Sequence, residues 1–248
     1  GYKKNIVKGE IFNKKFKILI NDNYNSINFK LPKTGITADL DFNENKNKSL
    51  ISGVFRSTIL NSKLKFNFDY DEKKLKIHNS YFRSKDLSFK SESIITHHPF
   101  LNLDSIFEVD DINVKLIKKI DINKILSLKE LIKKLNIKNQ INFKSKKFSR
   151  NLIDDLSLNI NLAYGKLIYS KRVSILNNFF TCQGDLNLLE EYPILYFDCI
   201  VVSEDKKKLL KEFSIKYKSK NEPFQLNIGG NMNILNNKIN FKNITMNK

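Results

Sequence analysis

The chain has no tryptophan and is poor in cysteine, proline and glycine, with 2, 4 and 8 residues of these types among 248. Such low Gly and Pro content excludes a low-complexity linker protein. No run of about 18 apolar residues is present, so no segment is predicted to cross a bilayer as a helix. Because the first residue is Gly1 rather than Met, we expect the chain to be a fragment or a processed product.

The sequence also lacks the motifs that indicate catalysis. It has no glycine-rich phosphate loop and no grouping of Ser, His and Asp that would indicate an activated nucleophile. Its adjacent carboxylates fall at predicted strand ends or turns, where solvated acids are ordinary: Asp110-Asp111, Asp154-Asp155 and Glu190-Glu191. Neighbouring strand residues such as His97 and His98 point to opposite faces and chelate a metal poorly. We therefore expect no enzyme activity, no metal site and no cofactor.

The formal charge of +18 is carried by 44 basic and 26 acidic residues. Only four of the basic residues are Arg, the side chain that best matches a base edge, and the lysines are spread along the chain. Lys, Asn and Ile are encoded by A/T-rich codons, so genome composition explains much of the excess. We do not expect a nucleic-acid partner. A preference for anionic head groups remains open, since each Lys near such a surface contributes about 1 kcal/mol.

Alternation with period two dominates the chain and predicts strands with one apolar and one wet face. Leu64, Phe66, Phe68 and Tyr70, for example, alternate with Lys and Asn or Asp. Short polar breaks such as 21–23, 84–86 and 236–238 predict hairpin turns. The fold class is therefore mainly all-β, an antiparallel meander. Weak similarity between residues 68–82 and 232–246 indicates repeated strand units that build an elongated sheet.

Two stretches break this period and predict two short helices. Apolar residues spaced by three and four predict an amphipathic helix within 121–136, and Ser127 to Glu130 has the spacing of a capping box. A second helix is predicted near 204–213 with Ser203 as its cap. The expected organisation is a first set of strands over 1–119, a helical connection over 120–137, and a second set over 138–248.

A one-sided sheet must cover its apolar face by closing on itself, by packing on a second sheet, or by curling into a trough that holds something else. The 19 Phe residues suit a dry lining, because Phe offers a large area with no polar atom to satisfy. A core filled by protein is the alternative for the same residues. The candidate groove residues are Phe66, Phe68, Leu75, Ile77, Leu101, Leu103, Phe107, Leu158, Ile160, Leu162, Leu186, Leu195, Phe197, Leu226 and Ile228.

The two cysteines are expected to face each other across a hairpin. If Leu188 opposes Pro193, then Cys182 opposes Cys199, and both fall on the apolar side of their strands. Directly opposed residues have Cβ atoms about 4.5–5.5 Å apart, which a disulfide can reach with a small adjustment. A cross-strand disulfide is the prediction, and two buried free thiols are the alternative.

Two segments resemble the repeating strand units of AsmA-like proteins, a bacterial envelope family with TamB-like and YhdP-like members. They are KLKFNFDYDEKKLKIHNSYFRSKDLSFKSES at 63–93 and KINFKNITMN at 238–247. The shared features are a strand of the form Lys-apolar-x-apolar, a small polar turn, and a second alternating strand. The likeness extends over most of residues 10–248 but lies in the layout of repeats, without an invariant motif.

This resemblance implies an open, curled β-groove (taco-like) with an apolar interior. It implies a periplasmic protein, anchored to the inner membrane by an N-terminal helix that this chain lacks. Such a groove would bind or guide phospholipid acyl chains between inner and outer membrane, or support outer-membrane biogenesis with outer-membrane assembly proteins as partners. The alternative function is a structural interaction module of envelope assembly, with a closed β core and no lipid conduit.

Overall fold

The computed structural model describes residues 5–11, 13–44, 49–97, 100–112, 121–145, 153–176, 178–212, 214–216, 218 and 221–247. Strands account for 68% of the residues, against about 20–25% in ordinary globular proteins. The mainly all-β class predicted from the sequence is therefore confirmed. The chain divides into two compact units, Gly1–Leu116 (unit 1) and Ile117–Lys248 (unit 2).

The described residues of unit 1 form an antiparallel sheet of nine strands whose order in the sheet follows the chain. The order in the sheet runs from β1 to β9 without a crossover. The strands are β1 (Asn5–Ile11), β2 (Lys14–Ile20), β3 (Ser26–Leu31), β4 (Ile36–Phe42), β5 (Ile51–Ile59), β6 (Ser62–Tyr70), β7 (Lys74–Arg83), β8 (Leu87–Thr96) and β9 (Leu101–Ile112).

Short polar side chains make the turns of unit 1. Oδ1 of Asp71 accepts hydrogen bonds from the backbone N–H groups of Lys73 and Lys74, both at 2.9 Å, between β6 and β7. These bonds lower the pKa of Asp71. Oγ of Ser84 accepts from the N–H of Leu87 at 3.1 Å in the next turn. Such local bonds stop the strand at a defined residue and so fix the register of each hairpin.

Unit 2 contains seven antiparallel strands, again in chain order, and three short helices among its described residues. The strands are β10 (Leu135–Lys144), β11 (Asp155–Ala163), β12 (Lys166–Ile175), β13 (Asn178–Asn187), β14 (Ile194–Ser203), β15 (Phe224–Asn233) and β16 (Lys238–Asn247). The helices are α1 (Ile122–Leu126), α2 (Lys129–Ile132) and α3 (Lys206–Glu212).

The single helix predicted within 121–136 is wrong in extent and in its cap. Two helices of five and four residues replace it, and β10 already begins at Leu135. Asp121 caps α1 by accepting hydrogen bonds from the N–H groups of Asn123 and Lys124. Ser127 ends α1 instead of starting a helix, and its hydroxyl donates to the carbonyl of Lys124 at 2.7 Å. The N-cap of α2 is Leu128 and no side chain caps that helix, so the predicted capping box is not formed.

The later helix lies close to its predicted place but has a different cap. It spans Lys206–Glu212, and Ser203 is the last residue of β14. Oδ1 of Asp205 accepts from the N–H of Lys208 at 2.7 Å, while Oγ of Ser203 accepts from the N–H of Asp205 at 3.2 Å. Asp205, directly before the helix, is therefore the capping side chain.

The two similar segments adopt the same local structure. Residues 68–82 and 232–246 each cover the end of one strand, a polar turn and the following strand. In both hairpins the pairing register shifts by one residue, near Asn79 on β7 and opposite Gly229-Gly230 on β15. Each shift marks a β-bulge or a similar irregularity in the pairing of the two strands.

Candidate functional site

The register of unit 1 gathers its apolar residues on one side of the sheet. Directly opposed residues in antiparallel strands share a face, and the pairs Phe55–Phe66 and Leu103–Ile95 are examples. We call this side the unit 1 apolar face. Its members on the central strands are Phe42, Ile51, Gly53, Phe55, Leu64, Phe66, Phe68, Leu75, Ile77, Phe82, Phe89, Ile95, Leu101, Leu103, Phe107 and Val109.

No second layer covers the unit 1 apolar face within the described ranges. Unit 1 has no helix there, and extensive packing is confined to strands that are adjacent in the sheet. Phe68, at 8% exposure, is its one buried hydrophobic side chain among the described residues. The other apolar side chains are half-buried or exposed, as in Ile59 at 49%. A packed core would bury most of these side chains.

Small residues lie beneath the large ones on this face. The rings of Phe42 and Phe68 meet edge to face over Gly53, with their centroids 6.2 Å apart. Farther along, Oγ of Ser80 lies 2.6 Å from Oγ of Ser91, and Ser105 donates to Ser93 at 2.8 Å. Ser80 and Ser105 are only 4% and 5% exposed, although their apolar neighbours remain half-buried. Sequence alternation alone did not single out this serine row.

The opposite side of unit 1 is polar. Asp41 forms an ion pair with Arg56, and Ser52 donates to Asp69 at 2.6 Å. Nδ1 of His78 lies 3.6 Å from the carboxylate of Asp69. Because these groups are charged or polar, that side of the sheet is suited to contact with solvent. The sheet of unit 1 therefore has the one-sided character that the alternation predicts.

Unit 2 has an apolar face of the same kind. The rows Leu162–Leu167–Leu186–Leu195 and Val173–Phe180–Val201–Leu226 run across neighbouring strands on one side. We call this side the unit 2 apolar face. Its further members are Ile137, Asn139, Ile141, Phe143, Leu156, Leu158, Ile160, Tyr169, Lys171, Cys182, Gly184, Phe197, Cys199, Phe224, Ile228, Gly230, Met232, Ile239, Phe241, Ile244 and Met246.

The helices of unit 2 close two ends of this face. Ile132 of α2 packs on the buried side chains of Leu162, Leu186 and Leu188. Nζ of Lys129 anchors the same helix by donating to the backbone carbonyls of Leu189 and Glu190, at 3.2 and 2.8 Å. These contacts fix α1 and α2 at the end of the face formed by the β13–β14 turn.

Helix α3 lies at the other end of the unit 2 apolar face. Leu209 is its buried anchor at 3% exposure. Nζ of Lys206 lies 5.5 Å from the ring centroid of Phe224, a cation–π contact, and donates to Sδ of Met246 at 3.8 Å. Phe224 and Met246 both belong to the unit 2 apolar face. The middle of the face lies between these two helical ends.

All fifteen candidate groove residues lie on the two apolar faces. Seven belong to unit 1 and eight to unit 2. Phe68, Leu162 and Leu186, however, are each only 8% exposed, because Phe42 packs against the first and α2 against the other two. These three side chains are covered by protein, so the predicted role in contacting a ligand does not suit them. The remaining twelve keep accessible surface.

Cys182 and Cys199 lie directly opposite each other in the β13–β14 register, with Leu186 opposite Leu195 as expected. Their sulfurs form a disulfide. The bridge is part of the unit 2 apolar face, between Lys171 on β12 and Ile228 on β15. Free thiols, the alternative left open by the sequence, are not present at these positions.

Tyr169 and Lys171 place polar atoms on the unit 2 apolar face. Neither residue was among the candidate groove residues predicted from the alternation. Burial raises the pKa of Tyr169, and the carboxylate of Asp198 raises it further. Lys171 is exposed and lies between Leu158 and Cys182. A Lys inside a run of alternating residues is typical of a wet-face position, so only the register reveals where it lies.

The carboxylates, histidines and cysteines form no group of three or more that could hold a metal ion in the described part of the chain. Asp110 and Asp111 are the last acidic residues of β9, Asp155 begins β11, and Glu190 and Glu191 lie in the β13–β14 turn. His97 follows β8, whereas His98 lies outside the described residues. No helix in the described part is long and apolar enough to cross a membrane.

Comparison with protein-family models, with curated proteins and with solved structures found no match to this chain. The apolar faces are therefore the features from which a function can be argued.

Proposed function

We propose that this chain is a lipid-binding β-sheet protein of the bacterial envelope, in which each apolar face binds or guides phospholipid acyl chains. The main support for this proposal is the unit 1 apolar face, which spans nine strands without a covering layer in the described residues. The resemblance to AsmA-like proteins supports a periplasmic location and anchoring to the inner membrane. It also supports a role in phospholipid movement or outer-membrane biogenesis.

The size of the unit 1 apolar face suits a hydrocarbon chain. Eight inter-strand spacings of about 4.8 Å give roughly 38 Å across the strands. Every methylene that leaves water for such a face contributes about 0.8 kcal/mol. An acyl chain would therefore be held by area alone, without a specific polar residue along its path.

The polar side of the sheet fits the same proposal. Its ion pairs and hydrogen bonds, such as Arg56 with Asp41, keep that surface in contact with water. Lipid would thus bind to one side of unit 1, and its head group would stay in solvent there. The mechanism is passive, because movement along an apolar face requires no chemical step.

Two adjacent isoleucines provide a matched test. Ile95 lies on the unit 1 apolar face between Leu75 and Leu103, and Ile94 lies on the polar side between Lys76 and Asp104. Ile95→Asp puts an ionised carboxylate where an acyl chain would lie, and covering it costs more than the roughly 1–3 kcal/mol of an unpaired amide or hydroxyl. Ile94→Asp makes the same chemical change on the wet side.

Phospholipid should co-purify with the protein and be measured by native mass spectrometry and by lipid extraction. We expect about tenfold less lipid with Ile95→Asp, equivalent to about 1.4 kcal/mol, and no change with Ile94→Asp. Both variants should keep the far-ultraviolet circular dichroism of the parent. Unfolding of Ile95→Asp alone would show that Ile95 belongs to a packed core and would favour the closed assembly module. Equal loss of lipid in both variants would also contradict the proposal.

A further inference from the structure

Lys171 is the one charged residue on the unit 2 apolar face among the described strands. It occupies the centre of β12, directly opposite Leu158 on β11 and Cys182 on β13. The lysines of the polar side differ in setting: Lys166, on the same strand, has Asp185 within 3.7 Å. Lys171 thus has an unusual place for a charged side chain in this sheet.

No acidic residue surrounds Lys171 on its own face. Its neighbours on that face are the residues two positions away on β12 and those directly or diagonally opposite on β11 and β13. They are Tyr169, Val173, Leu156, Leu158, Ile160, Phe180, Cys182 and Gly184. Within the described part of the chain, Lys171 also forms no ion pair.

Water solvates the ammonium while the face is open, but an acyl chain laid over the face would remove that water. Burial of an unpaired ammonium is strongly unfavourable unless a counter-charge arrives with the apolar group. An anionic amphiphile supplies both at once. This step rests on the proposed lipid-binding function.

We propose that Lys171 binds the anionic head group, phosphate or carboxylate, of an amphiphile whose hydrocarbon chain lies on the unit 2 apolar face. Tyr169 is two residues away on the same strand and face. A tyrosine phenol is protonated at neutral pH, so its hydroxyl can donate a hydrogen bond to the same anion. One charged and one neutral donor would then hold the head group.

The hydrocarbon chain runs from Lys171 toward β16. In that direction the row continues through Cys182, Cys199, Ile228 and Ile244, which spans about 19 Å over four strand spacings. Ile244 and Phe241 on β16 are 59% and 58% exposed, so a chain there would bury apolar surface that now faces water. Toward β10, by contrast, the same row continues within unit 2 only through Leu158 and Ile141, a span of two strand spacings.

Three probes with one chain length separate charge from hydrocarbon. Dodecanoate, dodecyl phosphate and 1-dodecanol are titrated into the intact protein by calorimetry, below their aggregation concentrations. We expect both anions to bind about fivefold or more tightly than the alcohol, the effect of one lysine beside an anion. The ratio between carboxylate and phosphate identifies which head group the site favours. Inorganic phosphate should not compete at similar concentrations.

The variants are Lys171→Met, Lys171→Arg and the control Lys166→Met, which removes the same charge from the polar side of the same strand. Lys171→Met should erase the preference for the anions while leaving binding of 1-dodecanol intact. Lys171→Arg and Lys166→Met should keep the preference.

The inference about Lys171 is overturned if Lys171→Met retains the preference, if Lys166→Met loses it equally, or if inorganic phosphate displaces the probes. Failure of the underlying lipid-binding function looks different. In that case none of the three probes, including the neutral alcohol, binds to the parent protein.

Discussion

Gly53 offers a sharp test of how closely the strands of unit 1 approach. It lies on the apolar face, opposite Phe42 on β4 and Phe68 on β6. A methyl group added at Gly53 would overlap the carbonyl oxygen of Asp41 and lie 2.8 Å from Cζ of Phe68. The backbone oxygen cannot move aside without disturbing the pairing of β4 with β5. We therefore expect Gly53→Ala to destabilise the sheet.

Opposing effects set the size of this change. Ala in a strand is ordinarily more stable than Gly by about 0.5–1 kcal/mol. Overpacking costs about 1–3 kcal/mol, and loss of the Phe42–Phe68 contact about 0.5–1.5 kcal/mol. The balance predicts that Gly53→Ala lowers the free energy of unfolding by about 2 kcal/mol.

Gly9→Ala is the matched control, because Gly9 also lies on the apolar face and opposes a phenylalanine. Its added methyl group would meet only the far end of the Phe16 ring, at 2.5 Å from Cζ, and that ring can rotate away. Urea unfolding followed by far-ultraviolet circular dichroism suits a chain without tryptophan. If Gly53→Ala proves as stable as the parent or as Gly9→Ala, the close approach of strands described for β4–β6 is wrong.

Two further predictions concern unit 2. The disulfide joins residues 17 apart in the chain, so Cys182→Ser with Cys199→Ser should lower the free energy of unfolding by about 3 kcal/mol. Urea midpoints with and without reductant check this, and a parent protein insensitive to reductant would contradict it. Burial, aided by Asp198, raises the pKa of Tyr169. Since an unfolded tyrosine titrates at about pH 10, the unfolded state loses that proton first, and stability falls as pH rises above this value. Tyr169→Phe should therefore lose less stability than the parent as the pH rises above about 10, and parallel losses would contradict the assignment.

The period-two pattern was sufficient to predict the sheet and its sidedness. Strands such as β6 alternate strictly, so the apolar parity of Leu64, Phe66 and Phe68 translates directly into one face. The register of the cysteine hairpin followed from turn length alone, because the position of one opposed pair fixes all others.

The helical segment was less predictable because several weak local signals compete there. The spacing of three is genuine over Ile122, Ile125 and Leu128, but β-branched residues favour a strand soon afterwards, and β10 starts at Leu135. A capping-box spacing at Ser127 was outweighed by Asp121, whose carboxylate caps the earlier turn.

Which apolar residues remain accessible could not be predicted from alternation. Apolar strand positions look alike in sequence whether or not a helix covers them. Ile160 stays partly exposed, while Leu162, two residues farther along β11, is buried under Ile132. Similarly, Lys171 has the polar character of a wet-face residue, and only its pairing with Leu158 and Cys182 assigns it to the apolar face.

Because strands that are adjacent in the sequence are also adjacent in the sheet, each unit can fold from local contacts. Every strand of a unit finds its partners among its immediate neighbours in sequence, so loops to be closed are short and contact order is low. Hairpins can then be added one after another, as in solenoids, where stability is a sum over neighbouring repeats. A nascent chain could fold progressively during synthesis, and loss of terminal strands would shorten a unit without dismantling the rest.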